Sequence, residues 1–182
     1  MGFDERNKKV ERPKKIAVVD ASVAVKWFVE EEFTRQALRV IEDYESQYVD
    51  IRSMQSMPFE VLNALRYNPE LGETEIEKAA DALSRLRIAL YPVLGDLKEL
   101  CMKAAFKHGL SVDDASYLSL SRLLNSNLHT ADEKFIAKTK GRELSATFAN
   151  TLREFSREDY ARPMMRCCPR IEAKNLPNTK GT

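Results

Sequence analysis

Ile16-Ala17-Val18-Val19 is a continuous apolar run that stops abruptly at Asp20. Its shortness and its adjacent β-branched residues predict a buried strand that runs into a polar edge, rather than a helix. The next periodic segment is helical: over residues 34–44, Ala37, Leu38, Ile41 and Tyr44 recur at three- and four-residue steps, with Thr34 as the expected N-cap. Pro58 opens a second helix with Phe59, Leu62 and Leu65 on one stripe, and Pro69 closes it. A third starts near Thr74, with Glu77 as its capping-box partner, and turns Ile76, Ala79, Ala80, Leu83 and Leu86 inward. Residues 91–94 read as a strand. Leu97, Leu100, Cys101, Ala104 and Ala105 form another helical stripe that stops near Gly109. Ser111 or Asp113 caps the next helix, in which Ala115, Leu118 and Leu123 face inward. Residues 127–130 and 146–149 are short candidate strands. Strands alternating with helices predict an α/β sandwich with a mainly parallel sheet.

A chain of 182 residues suffices for one such core without disulfides or structural metal. Its three cysteines are Cys101 and the adjacent pair Cys167 and Cys168, a spacing unlike that of a zinc site or a disulfide framework. No run approaches the roughly 20 apolar residues that cross a bilayer, and the first 15 residues lack the apolar stretch of a signal peptide. The expectation is a cytoplasmic protein with no membrane contact. Lys plus Arg number 29 against 28 Asp plus Glu, but the charge is uneven. Six basic and three acidic residues fall in 1–15, and five basic and one acidic in 161–182, so the body between them is acidic. We divide the chain into a basic extension at 1–13, a folded domain at 14–156 and a basic, poorly ordered tail at 157–182. An acidic body hints at bound cations and basic ends at an anionic partner, although solvated tails are the commoner explanation of such ends.

Ligands of open α/β sheets bind outside the carboxyl ends of the strands. Asp20 ends the first strand, Asp132 follows the short strand containing Leu128, Asp114 opens a helix after a turn, and Glu60 sits just inside the Pro58 helix. Converged, these four would form a crowded acidic pocket whose charges require a cation, and oxygen-only ligands select a hard ion, Mg²⁺ or Mn²⁺. Such a site suits phosphodiester hydrolysis. Spacing alone does not establish it, because acids at helix starts commonly serve as caps or offset the helix dipole. Asp20 is harder to dismiss, since a carboxylate directly after an apolar strand is costly without a partner.

The local sequences VVDASVAVKWFVEEE, PFEVLNALR, SVDDASYLSLS and LHTADEKF, in that order, carry a resemblance to the PIN-domain family, and most closely to its VapC-type toxin branch. The resemblance spans roughly residues 14–140. It implies a three-layer α/β/α sandwich with a central, mainly parallel sheet and an Mg²⁺- or Mn²⁺-dependent endoribonuclease site. Carried over residue by residue, it assigns Asp20, Glu60, Asp114 and Asp132 as the catalytic, metal-holding acids. Ser22 and Thr130 match hydroxyl positions beside the first and last acids and are expected to support them. Of the adjacent Asp113 and Asp114, the second directly precedes the helix-start residues and is the match; Asp50, Asp96 and Glu133 match no motif acid. His129 departs from the aliphatic residue common in its block, and the basic tail lies outside the family core.

An acidic pocket repels phosphate, so RNA must be held by cations such as Lys26, Arg66, Lys134 or Lys138, of which Lys26 is best placed. The resemblance also implies a homodimer and an antitoxin protein that covers the groove, for which Trp27, Phe28 and Phe33 offer candidate apolar contacts. Two other readings remain open: a PIN nuclease of RNA processing or decay, or of DNA, for which the basic tail would grip nucleic acid, and a PIN-like assembly module without catalysis. The presence of all four motif acids favours an enzyme.

Overall fold

The structure, a computed structural model, describes residues 14–139. The candidate strand at 146–149, the tail and the N-terminal extension lie outside those residues. Along the chain run β1 (Lys15–Val19), α1 (Ala21–Val25), α2 (Thr34–Glu45), β2 (Val49–Met54), α3 (Met57–Arg66), α4 (Glu73–Leu86), β3 (Ala89–Tyr91), α5 (Gly95–His108), α6 (Val112–Leu123), β4 (Asn127–His129) and α7 (Glu133–Lys138). The strands form one sheet in the order β3-β2-β1-β4, with every pairing parallel among the described residues. Helices flank it, giving the expected α/β sandwich. None of the described helices is long and apolar enough to cross a membrane.

Burial explains the order of the strands. Ala17, Val18 and Val19 are buried together and occupy the interior of the sheet, with β2 on one side and β4 on the other. Val18 stands opposite both Arg52 and Leu128, and Val19 opposite His129. The chain leaves β1 towards β2 and later returns to its other side as β4, so the connections diverge beside the carboxyl end of β1. That divergence opens a crevice at the strand ends, and α6 packs against β1, β2 and β4 beneath it.

β2 is an element the periodicity did not reveal. Val49-Asp50-Ile51-Arg52-Ser53-Met54 carries charges at alternate positions and resembles a loop, but Asp50 and Arg52 neutralise one another at 2.5 Å while Ile51, Ser53 and Met54 are buried. Several boundaries also differ from expectation. The second helix buries Met57, Val61 and Leu65, leaving Leu62 partly buried and Phe59 76% exposed; the helix is apolar on more than one face, so spacing alone did not fix its orientation. The third begins at Glu73, where Glu75, not Glu77, accepts from the Gly72 N–H at 3.0 Å. β3 ends at Tyr91 rather than beginning there. Leu123 is exposed at the end of α6. Thr34 is the first residue of α2 rather than its cap, and its hydroxyl ties the preceding loop by accepting from Glu31 N–H at 2.8 Å and donating to Val29 C=O at 3.2 Å. At α6 the alternative resolves in favour of Ser111, which accepts from Asp114 N–H at 3.0 Å.

Candidate active site

Asp20 is the best-anchored of the four acids. Its backbone N–H donates to His129 C=O at 3.2 Å, continuing the β1–β4 ladder by one bond, and its side chain caps α1 by accepting from Val23 N–H at 3.2 Å. Ser22 Oγ donates to Asp20 Oδ1 at 2.6 Å and accepts from Ala131 N–H at 2.8 Å, joining the start of α1 to the segment after β4. The Thr130 side chain bonds the Asp20 carboxylate as well. Both hydroxyls named from the sequence therefore touch Asp20. Burial nevertheless dominates: it pushes the Asp20 carboxyl up to about 6 from 3.8, against the opposing pull of hydrogen bonds from Ser22, Thr130 and Val23.

Asp132 is reached from Asp20 through Thr130, whose Oγ1 accepts from Asp132 N–H at 3.1 Å. Its Oδ1 caps α7, accepting from Lys134 N–H at 2.8 Å and Phe135 N–H at 3.1 Å, so the capping role and the site role fall on one residue. Glu60 lies in the first turn of α3 and Asp114 in the first turn of α6. Tyr117, one helical turn after Asp114 on α6, donates its phenol O–H to Glu60 Oε1 at 3.0 Å, so α6 and α3 are joined at Glu60. The charges of both Glu60 and Asp20 act on that buried phenol and, with desolvation, push its pKa far upward.

Three of the four acids, Asp20, Glu60 and Asp132, connect to one region at the carboxyl ends of β1 and β4. Asp20 and Glu60 meet around Tyr117, and Asp132 is linked to Asp20 through Thr130, whereas among the described residues Asp114 is tied to the others only by sharing α6 with Tyr117, its N–H being held by Ser111. Among the described residues, no three Asp, Glu, His or Cys side chains stand close enough together to form a ready-made metal shell. The donor chemistry still fits a hard divalent ion: the four acids offer oxygen alone, and among the described residues no cation contributes to the balance at the buried Asp20.

Of the proposed RNA-holding cations, Lys26 is only 8% exposed and its Nζ bonds Glu31 at 2.7 Å, tying the end of α1 to the loop before α2. Arg66, Lys134 and Lys138 are exposed, and Lys134 is two residues from Asp132. Trp27 and Phe28 are each 1% exposed and belong to the core, so they present no apolar surface to a partner. His129 is neutral at ordinary pH, because burial lowers its pKa to about 4. Two contributors escaped the sequence reading. Ser53 is fully buried in β2 and donates to Val19 C=O at 2.6 Å, bracing the residue before Asp20; nothing in a charged, loop-like segment signals that role. Tyr117 stands inside the quoted block SVDDASYLSLS, and its three-residue step from Asp114 was the available signal.

The sequence matches the family described as PIN domain over residues 17–141, most of the chain. The protein belongs to the PIN-domain family. Within it, the chain is 29% identical over 126 residues to Ribonuclease VapC3 of Pyrobaculum aerophilum, an alignment covering 66% of this chain and 92% of that protein. In structure it resembles PAE2754 from Pyrobaculum aerophilum, with a TM-score of 0.51 and 23% identity over 77% of this chain and 96% of the other, a likeness that concerns the fold.

Proposed function

We propose that the protein is a divalent-metal-dependent endoribonuclease of the VapC type, the toxin of a VapBC toxin–antitoxin pair. The observation that carries this reading is Asp20: a buried carboxyl at the carboxyl end of an interior strand, bonded by both motif hydroxyls, with Glu60 joined to the same region, in a PIN-family chain similar to a ribonuclease named VapC3. Asp20, Asp114 and Asp132, with Glu60 directly or through water, would hold Mg²⁺ or Mn²⁺. When bound, the ion would lower the pKa of attacking water and offset charge on the departing oxygen.

The chain's own groups supply the rest. Ser22 and Thr130 hydrogen-bond the Asp20 carboxylate and so fix its direction. The caps on α1 and α7 prevent Asp20 and Asp132 from swinging away. No histidine or cysteine is given a chemical step. Partners on this reading are RNA, a second copy of the chain and an antitoxin protein, and the compartment is the cytoplasm. The alternative of RNA processing keeps the same chemistry, and the assembly-module reading loses it.

RNA must be drawn in by cations outside the acidic pocket, and exposed Lys134 beside Asp132 is the best placed. Binding to a single-stranded RNA should weaken steeply with salt, and K134A should shallow the log–log slope by about 0.7, the release expected for one phosphate contact. Fluorescence anisotropy in EDTA over a salt series measures this without cleavage. A flat salt response in the wild type would reject RNA as the ligand.

A further inference from the structure

Tyr117 is a core residue with a polar end. Only 3% of it is exposed, and its neighbours on α6, Ala115, Leu118 and Leu120, are fully buried. A buried phenol needs a partner, and a backbone carbonyl would ordinarily serve. This one instead donates to the carboxylate of Glu60, 57 residues away on α3, while the Ser56 side chain bonds the phenol as well. Asp20 is near enough for its charge to be felt at the same oxygen, and Asp114 precedes Tyr117 by one turn on the same helix. One rigid side chain thereby bonds one of the four acids and lies within reach of the charge of a second.

Glutamate has three side-chain torsions and loses much freedom when held, whereas tyrosine has two and is fixed here by packing. We propose that Tyr117 is a positioning residue that holds the Glu60 carboxylate at the acidic site and thereby sets that site's affinity for a divalent cation. The inference rests on the metal-nuclease reading above. Phe at this position keeps the ring and removes only the hydroxyl, so the core remains filled. Glu60 then rotates among its own conformers and must be ordered by the incoming ion, which weakens binding. Partners that orient a ligand in this way typically contribute 10- to 100-fold in metal affinity.

The test is a Mn²⁺ titration of the full chain followed by electron paramagnetic resonance, with RNA cleavage and the melting temperature in EDTA measured on the same samples. Tyr117→Phe should bind Mn²⁺ about 10- to 100-fold more weakly, with an unchanged circular dichroism spectrum. Added to Glu60→Ala, it should change the affinity by less than about twofold, because a residue that acts through Glu60 has nothing left to act on. Affinity equal to wild type, with or without a lower melting temperature, would reduce Tyr117 to a packing residue and overturn the inference. So would a further tenfold loss in the Glu60→Ala background. Wild type that neither binds Mn²⁺ nor cleaves RNA in an EDTA-sensitive way would overturn the nuclease reading and this inference with it, whereas wild type that does both beside an unaltered Tyr117→Phe removes this inference alone.

Discussion

Asp20→Asn is expected to abolish RNA cleavage while making the metal-free protein more stable. On the proposed reading Asp20 contributes to charge stabilisation worth several kcal/mol, so single-turnover cleavage should fall on the order of 10³-fold or more. Stability should move the other way. Burial raises the folded-state pKa of Asp20 to about 6 from 3.8, so its contribution is fully present below pH 3.8 and is lost as pH rises through 6. Two pKa units correspond to about 3 kcal/mol, an upper limit for what a neutral isostere recovers at pH 8; weaker hydrogen bonds to Asn reduce the net gain to ~1–2 kcal/mol. The gain should vanish near pH 4. His129 has the opposite sign: its pKa is depressed from 6.5 to about 4, so it favours the folded state above 6.5 and that contribution is lost as pH falls through 4. In the wild type the two partly cancel between pH 4 and 6.5. In Asp20→Asn the His129 contribution is uncovered, and the variant should lose stability on acidification more steeply than the wild type. Urea titrations at pH 4, 6 and 8 in EDTA measure all three statements, and a variant less stable than wild type at pH 8 would contradict the burial argument.

The largest loss of stability is expected far from any chemistry, at Trp27→Ala. Trp27 is 1% exposed, and its Nε1–H donates to Ala37 C=O at 3.0 Å, pinning α2 to the turn after α1. Removing the indole leaves a cavity costing about 3–5 kcal/mol, and the Ala37 carbonyl keeps only its bond within α2. Against a total of roughly 5–15 kcal/mol, that is enough to unfold a large share of the protein. A fall in melting temperature of more than about 10 °C is expected. Trp27→Phe keeps most of the packing and loses the N–H donor, so it should fall between the two. A loss under about 5 °C for Trp27→Ala would show that the α1–α2 region folds independently of this anchor.

Trp27 also illustrates what could be read from the chain. Its neighbourhood looked like a loop because α1 is only five residues long, and a short helix leaves too few turns for an apolar stripe to declare itself. β1 and the α4 and α5 stripes were legible because apolar burial there is continuous or regularly spaced. β2 was not, since the charges of Asp50 and Arg52 cancel only once strand pairing has aligned them. Phe59 was assigned to the wrong face because α3 is apolar around much of its circumference, and only tertiary packing chose Met57, Val61 and Leu65.

The site shows the same division. Asp20, Ser22 and Thr130 were legible from motif and order, and their mutual hydrogen bonds follow from β1 and β4 lying side by side. Lys26 looked like a substrate contact, but its amine is tied to Glu31, five residues on, in a turn that local sequence does not specify. Tyr117 and Ser53 act across long sequence separations, 57 and 34 residues, and such contacts exist only once the sheet and its helices have assembled.

The central claim, that these acids form a metal-dependent nuclease site, is tested most directly by single-turnover cleavage of a mixed RNA pool. Wild type and Asp114→Asn would each be assayed with Mg²⁺, with Mn²⁺ and with EDTA. The account predicts cleavage by wild type with either metal, none by either protein with EDTA, and loss on the order of 10³-fold in Asp114→Asn with either metal. Equal, metal-independent behaviour of the two proteins would contradict it.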